Sequence, residues 1–154
     1  MALSLVHAAH VSVVDPLAGS FRDIQPFGWE HFERVETGGA ESLPFDDATF
    51  DFVYCSNVLD HTRDADAVLS EIARVLRPNG HLLLGCDVRA AGAGGGPAHP
   101  YSWTLAALED RVLSKFRQVQ PAVLVNSARE VVPRDEGDDR HLHWIARLRI
   151  ADAQ

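Results

Sequence analysis

Two apolar runs with an amphipathic helix between them constrain this chain most. Phe50 to Ser56 (FDFVYCS) and Leu82 to Val88 (LLLGCDV) are rich in strand-forming residues, with little of the polar alternation of a half-exposed strand. Between them, Val68, Leu69, Ile72, Val75 and Leu76 recur at spacings of three and four, which predicts a helix over 64–77. Asp64 is placed to cap it, and Pro78-Asn79-Gly80 to end it. A strand, a helix and a strand in close succession make a crossover unit, whose two strands lie parallel under cover on both faces. The reading is therefore an α/β fold, a doubly wound, mostly parallel sheet in a single domain over 1–154.

The flanking segments extend this pattern. Val11 to Val14 reads as a strand stopped at Asp15-Pro16, and Phe32 to Thr37 as another stopped at Gly38-Gly39. A helical turn or two is expected around Phe21. Thr104 caps a second helix through about Phe116, Val119 to Val125 is a further strand, and His141 to Ile150 alternates as a final one. The last two strands lack a helix between them, which allows an antiparallel pair. Fourteen Lys and Arg against twenty-two Asp and Glu give a net charge of −8, and such a surface repels a phosphate backbone. No apolar run approaches the ~20 residues of a membrane helix. Cys55 and Cys86 sit inside apolar runs and read as buried thiols of a cytoplasmic protein.

A doubly wound sheet binds ligands beyond the carboxyl ends of its strands. That directs attention to Asp15, Glu41, residues 56–61, and Asp87 onward. An acidic side chain such as Asp15 can accept both hydroxyl protons of a ribose, or can simply start a turn. Asp46, Asp47 and Asp51 lack ligand-loop spacing and read as turn residues. His141 and His143 share one face of a strand, but two ligands without a third read as a solvated face, so no metal is expected.

Four segments, taken in order, resemble a known family. They are Val14-Asp15-Pro16-Leu17-Ala18, then Ala40-Glu41-Ser42-Leu43-Pro44-Phe45-Asp46-Asp47-Ala48-Thr49-Phe50-Asp51, then Val58-Leu59-Asp60-His61, and finally Glu71 to Leu84 (EIARVLRPNGHLLL). The series is similar to class I S-adenosylmethionine-dependent methyltransferases, nearest the type 11 branch. The resemblance implies a Rossmann-like sheet and S-adenosylmethionine as cofactor. It puts Asp15 on the cofactor ribose, Ala40 and Glu41 beside the adenine, Ser56 and Asn57 along the methionine end, and Asp60 and His61 at the transfer site. There His61 would be the base and Asp60 its orienting partner. The loop from Ala90 to Trp103 is expected to cover a small-molecule acceptor, with Tyr101 and Trp103 as its walls.

The family opens with a strand and a glycine-rich turn ahead of the ribose-binding Asp. Only fourteen residues precede Asp15, and none is glycine. Met1 to His10 resembles the end of the helix that follows that strand. The expectation is an N-terminally shortened domain missing the first central strand. Either the Asp15 strand then shifts beside the Phe50–Ser56 strand, or a gap stays open, with a homodimer through exposed strand edges as one outcome. The expected function is methyl transfer to a small molecule. The alternative is a non-catalytic or degenerate module acting through a partner chain.

Overall fold

The computed structural model describes residues 10–21, 34–89, 100–133 and 142–151. The chain runs β1 (Ser12–Asp15), α1 (Ala18–Phe21), β2 (Arg34–Thr37), β3 (Phe50–Ser56), α2 (Ala65–Val75) and β4 (Leu76–Val88). It continues through α3 (Leu105–Leu113), β5 (Phe116–Gln118), β6 (Val123–Val125), β7 (Val131–Val132) and β8 (Leu142–Ile150). The expected start of the chain over 1–9 and the glycine-rich stretch over 90–99 lie outside the described residues.

The helix between the apolar runs forms for the reasons its spacing gives. Asp64 accepts hydrogen bonds from the Asp66 and Ala67 N–H groups at 3.0 Å each, satisfying donors that the first turn cannot use. Val68, Leu69, Ile72 and Val75 are buried on one face. The helix stops two residues earlier than expected, because Leu76 turns to extended backbone and pairs with Phe50 at once. Arg77 to Gly80 then bulges out of the ladder before His81 rejoins it opposite Phe52. Asn79 holds φ at 67° in that bulge. A Cβ on Gly80 would come within 2.9 Å of the Arg77 carbonyl oxygen, so this position requires glycine.

The larger sheet has the order β3-β4-β8-β6-β7, with β5 also pairing to β8, and β1 and β2 form a separate two-stranded parallel sheet. The α/β class is as expected, but the sheet is mixed rather than mostly parallel. Among the described strands β1–β2 and β3–β4 pair in parallel, while β4–β8, β5–β8, β6–β8 and β6–β7 are antiparallel. Among the described residues no helix separates the strands after α3, and strands joined without a crossover pair antiparallel. Among the described residues the Asp15 strand does not shift beside the Phe50–Ser56 strand; β1 pairs with β2. No strand pairing joins β1 to β3 among the described residues.

The core lies on the face of the larger sheet that carries α2 and α3. Leu82, Leu84 and Cys86 of β4 meet Trp144, Ala146 and Leu148 of β8, with Leu108 and Val112 of α3 packed over them. Each such leucine contributes about 1.5–3 kcal/mol by leaving water. The Trp144 indole N–H is satisfied by Glu109 at 3.0 Å. Among the described residues no helix is long and apolar enough to cross a membrane.

Candidate functional site

The carboxyl end of β3 delivers the chain to a tight turn over residues 57–63. Asn57 holds φ at 53°, and its N–H is bonded to the Gly85 carbonyl at 3.0 Å, which fixes how the chain leaves β3. Leu59 and Asp60 are then driven inward, at 0% and 4% exposure. Asp60 lies close enough to the two thiols for its charge to act on them. Burial foremost, and this carboxylate second, push the Cys55 thiol up to about 12. Burial and the carboxylates of Asp60 and Asp87 raise Cys86 as well. Both thiols are inert packing groups, as the sequence indicates.

Several of the expected site residues converge on the backbone of Arg63. Its N–H donates to Glu41 Oε1 at 2.9 Å, and its carbonyl accepts from the Tyr101 hydroxyl at 2.8 Å. The Tyr101 N–H reaches the Asp60 carbonyl at 3.4 Å. The Tyr101 ring stacks on Trp103 with centroids 5.3 Å apart. His61 Nε2 stands 3.6 Å from Asp60 Oδ2, with the imidazole 43% exposed. Glu41, Asp60, His61, Tyr101 and Trp103 thus form one connected group. The Trp103 indole N–H is buried there without a hydrogen-bond partner, a donor left over after the protein's own bonds are made.

Asp15 reaches this group through its neighbour in the small sheet. It is paired with Thr37, from which the chain runs directly to Ala40 and Glu41. One carboxylate oxygen of Asp15 accepts the Leu17 N–H at 2.7 Å, so the turn reading of this residue is realised, while a carboxylate keeps further acceptor capacity.

A family model described as methyltransferase domain matches residues 4–84. The chain belongs to the methyltransferase domain family. Its sequence is 34% identical over 124 residues to the uncharacterized protein YafE of Escherichia coli (strain K12), covering 75% of this chain and 56% of YafE. It is 39% identical over 56 residues to the glycine/sarcosine/dimethylglycine N-methyltransferase of Actinopolyspora halophila, covering 36% of this chain and 10% of that enzyme. Among solved structures, the cyclase SpnF superposes with a TM-score of 0.67 at 18% identity, covering 91% of this chain and 66% of SpnF. That likeness concerns the fold. The chain spans little more than half the length of YafE and a tenth of the Actinopolyspora enzyme.

In this methyltransferase domain the loop bearing Ala40 and Glu41 is held by two side chains to which the sequence reading gives no role. Glu71 of α2 accepts the Leu43 N–H at 2.7 Å. Arg74, one turn on, donates to the Leu43 and Phe45 carbonyls at 3.0 and 2.7 Å and to Glu71 at 2.7 and 2.8 Å. The Arg74 bond foremost holds the Glu71 carboxyl below its ordinary range, and the hydrogen bonds to Glu71 and then Asp47 raise Arg74 further. Both residues stand in the family-like segment from Glu71 to Leu84, so the signal was present. His143 also departs from the solvated-face reading. It is partly buried, with Nδ1 2.8 Å from Asp87 Oδ1, and His141 lies outside the described residues.

Proposed function

We propose that this chain transfers a methyl group from S-adenosylmethionine to a small-molecule acceptor. The observation that carries the reading is the connected group at the carboxyl edge of the sheet, in a chain of this family. It joins Glu41, Asp60, His61, Tyr101 and Trp103 through the backbone of Arg63. The residues suit the cofactor chemically. Asp15 supplies an acceptor for ribose hydroxyls at a strand end, and the loop from Ala40 carries the apolar Leu43 and Phe45, side chains suited to a flat base. Ser56 and Asn57 border the methionine end.

Bound there, S-adenosylmethionine supplies a methyl carbon on a positively charged sulfur. The protein's share is alignment and exclusion of water. Asp60 and His61 line the acceptor side, and the stacked Tyr101 and Trp103 give it an apolar wall, with the buried indole N–H as a donor for a polar group of the acceptor. Calorimetry with S-adenosylmethionine tests the reading. Asp15→Ala removes two charge-assisted hydrogen bonds to the ribose, and it should weaken binding by at least about tenfold. Failure of the unaltered chain to bind S-adenosylmethionine would overturn the proposal.

A further inference from the structure

A glycine in the middle of the sheet lets two reactive side chains approach each other. Gly85 of β4 is the register partner of Ser56 on β3, while on its other side β8 brings His143 diagonally across. A Cβ at position 85 would stand 2.6 Å from His143 Nε2 and 2.8 Å from Ser56 Oγ. Both polar atoms therefore lean over a strand position that has no side chain. On the far side of the ring, Nδ1 lies 2.8 Å from Oδ1 of Asp87, the direct cross-strand neighbour of His143. The imidazole and the carboxylate are 26% and 20% exposed.

The chemistry of this row follows from the acceptor at its end. A carboxylate can only accept, so in the neutral ring Nδ1 carries the hydrogen and Nε2 keeps its lone pair on the Ser56 side. His61 differs, since it faces its carboxylate through Nε2 at 3.6 Å, beyond hydrogen-bond length, and is the more exposed ring. The Asp87–His143 pair is the better-built proton acceptor, and it stands beside Ser56, which by family resemblance borders the methyl donor.

We propose that Asp87, His143 and Ser56 form the proton-transfer site for a hydroxyl-bearing acceptor, with His143 as the base. The inference rests on the methyl-transfer reading and adds the acceptor class to it. A neutral amine attacks with its own lone pair and can release its proton to water afterwards. A hydroxyl gains most from losing its proton as the new bond forms, and a base oriented by a carboxylate serves that need. The acceptor oxygen forms its bond to the methyl carbon as the carbon–sulfur bond breaks, with that electron pair staying on sulfur. The hydroxyl proton passes to Nε2, Asp87 stabilises the imidazolium, and water later removes the proton. Ser56 donates a hydrogen bond that orients the acceptor oxygen. His61 then borders the site without taking the proton.

The experiment has one arm that needs no turnover. Nitrogen-15 spectra of the unaltered chain, taken at a pH where the ring is neutral, should show His143 with its hydrogen on Nδ1 and a bare Nε2, and Asp87→Asn should disturb that preference. A hydrogen on Nε2 overturns the proposal. The second arm follows methyl transfer from S-adenosylmethionine to 4-methylcatechol, whose hydroxyls stay protonated near neutral pH, and, in parallel, to benzylamine. His143→Gln should lower kcat for the catechol by roughly a hundredfold while the cofactor dissociation constant from calorimetry stays within about twofold. Asp87→Asn should lower kcat in the same direction, with KM less affected. Catechol turnover that survives His143→Gln but is lost in His61→Gln returns the base to His61 and overturns the proposal, leaving methyl transfer intact. Methylation of benzylamine alone overturns the acceptor class. Where the cofactor binds and neither probe is methylated, the tautomer decides. Where the cofactor does not bind, the methyl-transfer reading fails, and this inference fails with it.

Discussion

Replacing Arg74 by alanine is the sharpest test of how the Glu41 loop is held. The guanidinium is 31% exposed and donates to two backbone carbonyls, to both oxygens of Glu71 and to Asp47. The Asp47 contact adds little, since that carboxylate is 80% exposed and screened by water. The two carbonyl bonds and the fork on Glu71 are the substantial part. Hydrogen bonds to charged groups contribute about 1.5–3 kcal/mol each when buried, and partial exposure and shared geometry reduce their sum. A loss of about 3 kcal/mol is expected, or roughly 6–12 °C in Tm for a chain of this size. Urea denaturation followed by circular dichroism measures it. Arg74→Lys should recover less than half, because an ammonium keeps the charge but cannot span Glu71 and two carbonyls together. If Arg74→Ala stays within about 0.5 kcal/mol of the unaltered protein, or lysine restores full stability, the clamp does not hold the loop.

Two further outcomes follow from the same contacts and from the core. The Glu71 carboxyl is held low in the folded chain, first by Arg74. As pH falls, the unfolded chain therefore takes up the proton first, at about 4.3, so the stabilisation is complete above that value and is lost through the lower folded value. Urea midpoints of the unaltered protein and Glu71→Gln should converge as pH drops from 7 to 3, and a gap independent of pH would contradict the assignment. Cys55, pushed up to about 12, and the buried Cys86 should both resist a thiol reagent such as dithionitrobenzoate at pH 8 until urea unfolds the chain. Rapid labelling of either in the native protein would show that the core opens locally.

The parts legible in the sequence are those whose cause is local. The face of α2 and the alternation of β8 state their periods within ten residues, and both elements appear where those periods place them. The Asp64 and Thr104 caps are likewise local, each accepting from an N–H three residues on. The short strands β5 and β7 carry too few residues to show a period, and they form because β8 and β6 offer them partners. The end of α2 was missed for a related reason. Helical spacing carries through Leu76, but pairing with Phe50, far back in the chain, takes that residue into the sheet. At the site, the family-like segments marked Glu41 and Asp60, and the expected acceptor loop over 90–103 marked Tyr101. The Asp87–His143 contact depends on antiparallel register between residues 56 apart, and no local pattern announces it.

The end of α2 and the loop over 43–49 are joined in both directions. The N–H groups of Ala48 and Thr49 bond the Arg74 and Val75 carbonyls at 2.8 Å each, and these are among the last carbonyls of the helix, which its own turns leave without donors. Glu71 and Arg74 return the favour by bonding the Leu43 and Phe45 backbone. Two stretches about thirty residues apart therefore behave as one heritable unit. An insertion or deletion within 43–49 would strip the helix of its terminal donors, whereas drift in the side chains of that loop, whose contribution is mostly backbone, is permitted. In a lineage of such chains, length should be frozen here while residue identity wanders, and Glu71 and Arg74 should change only together.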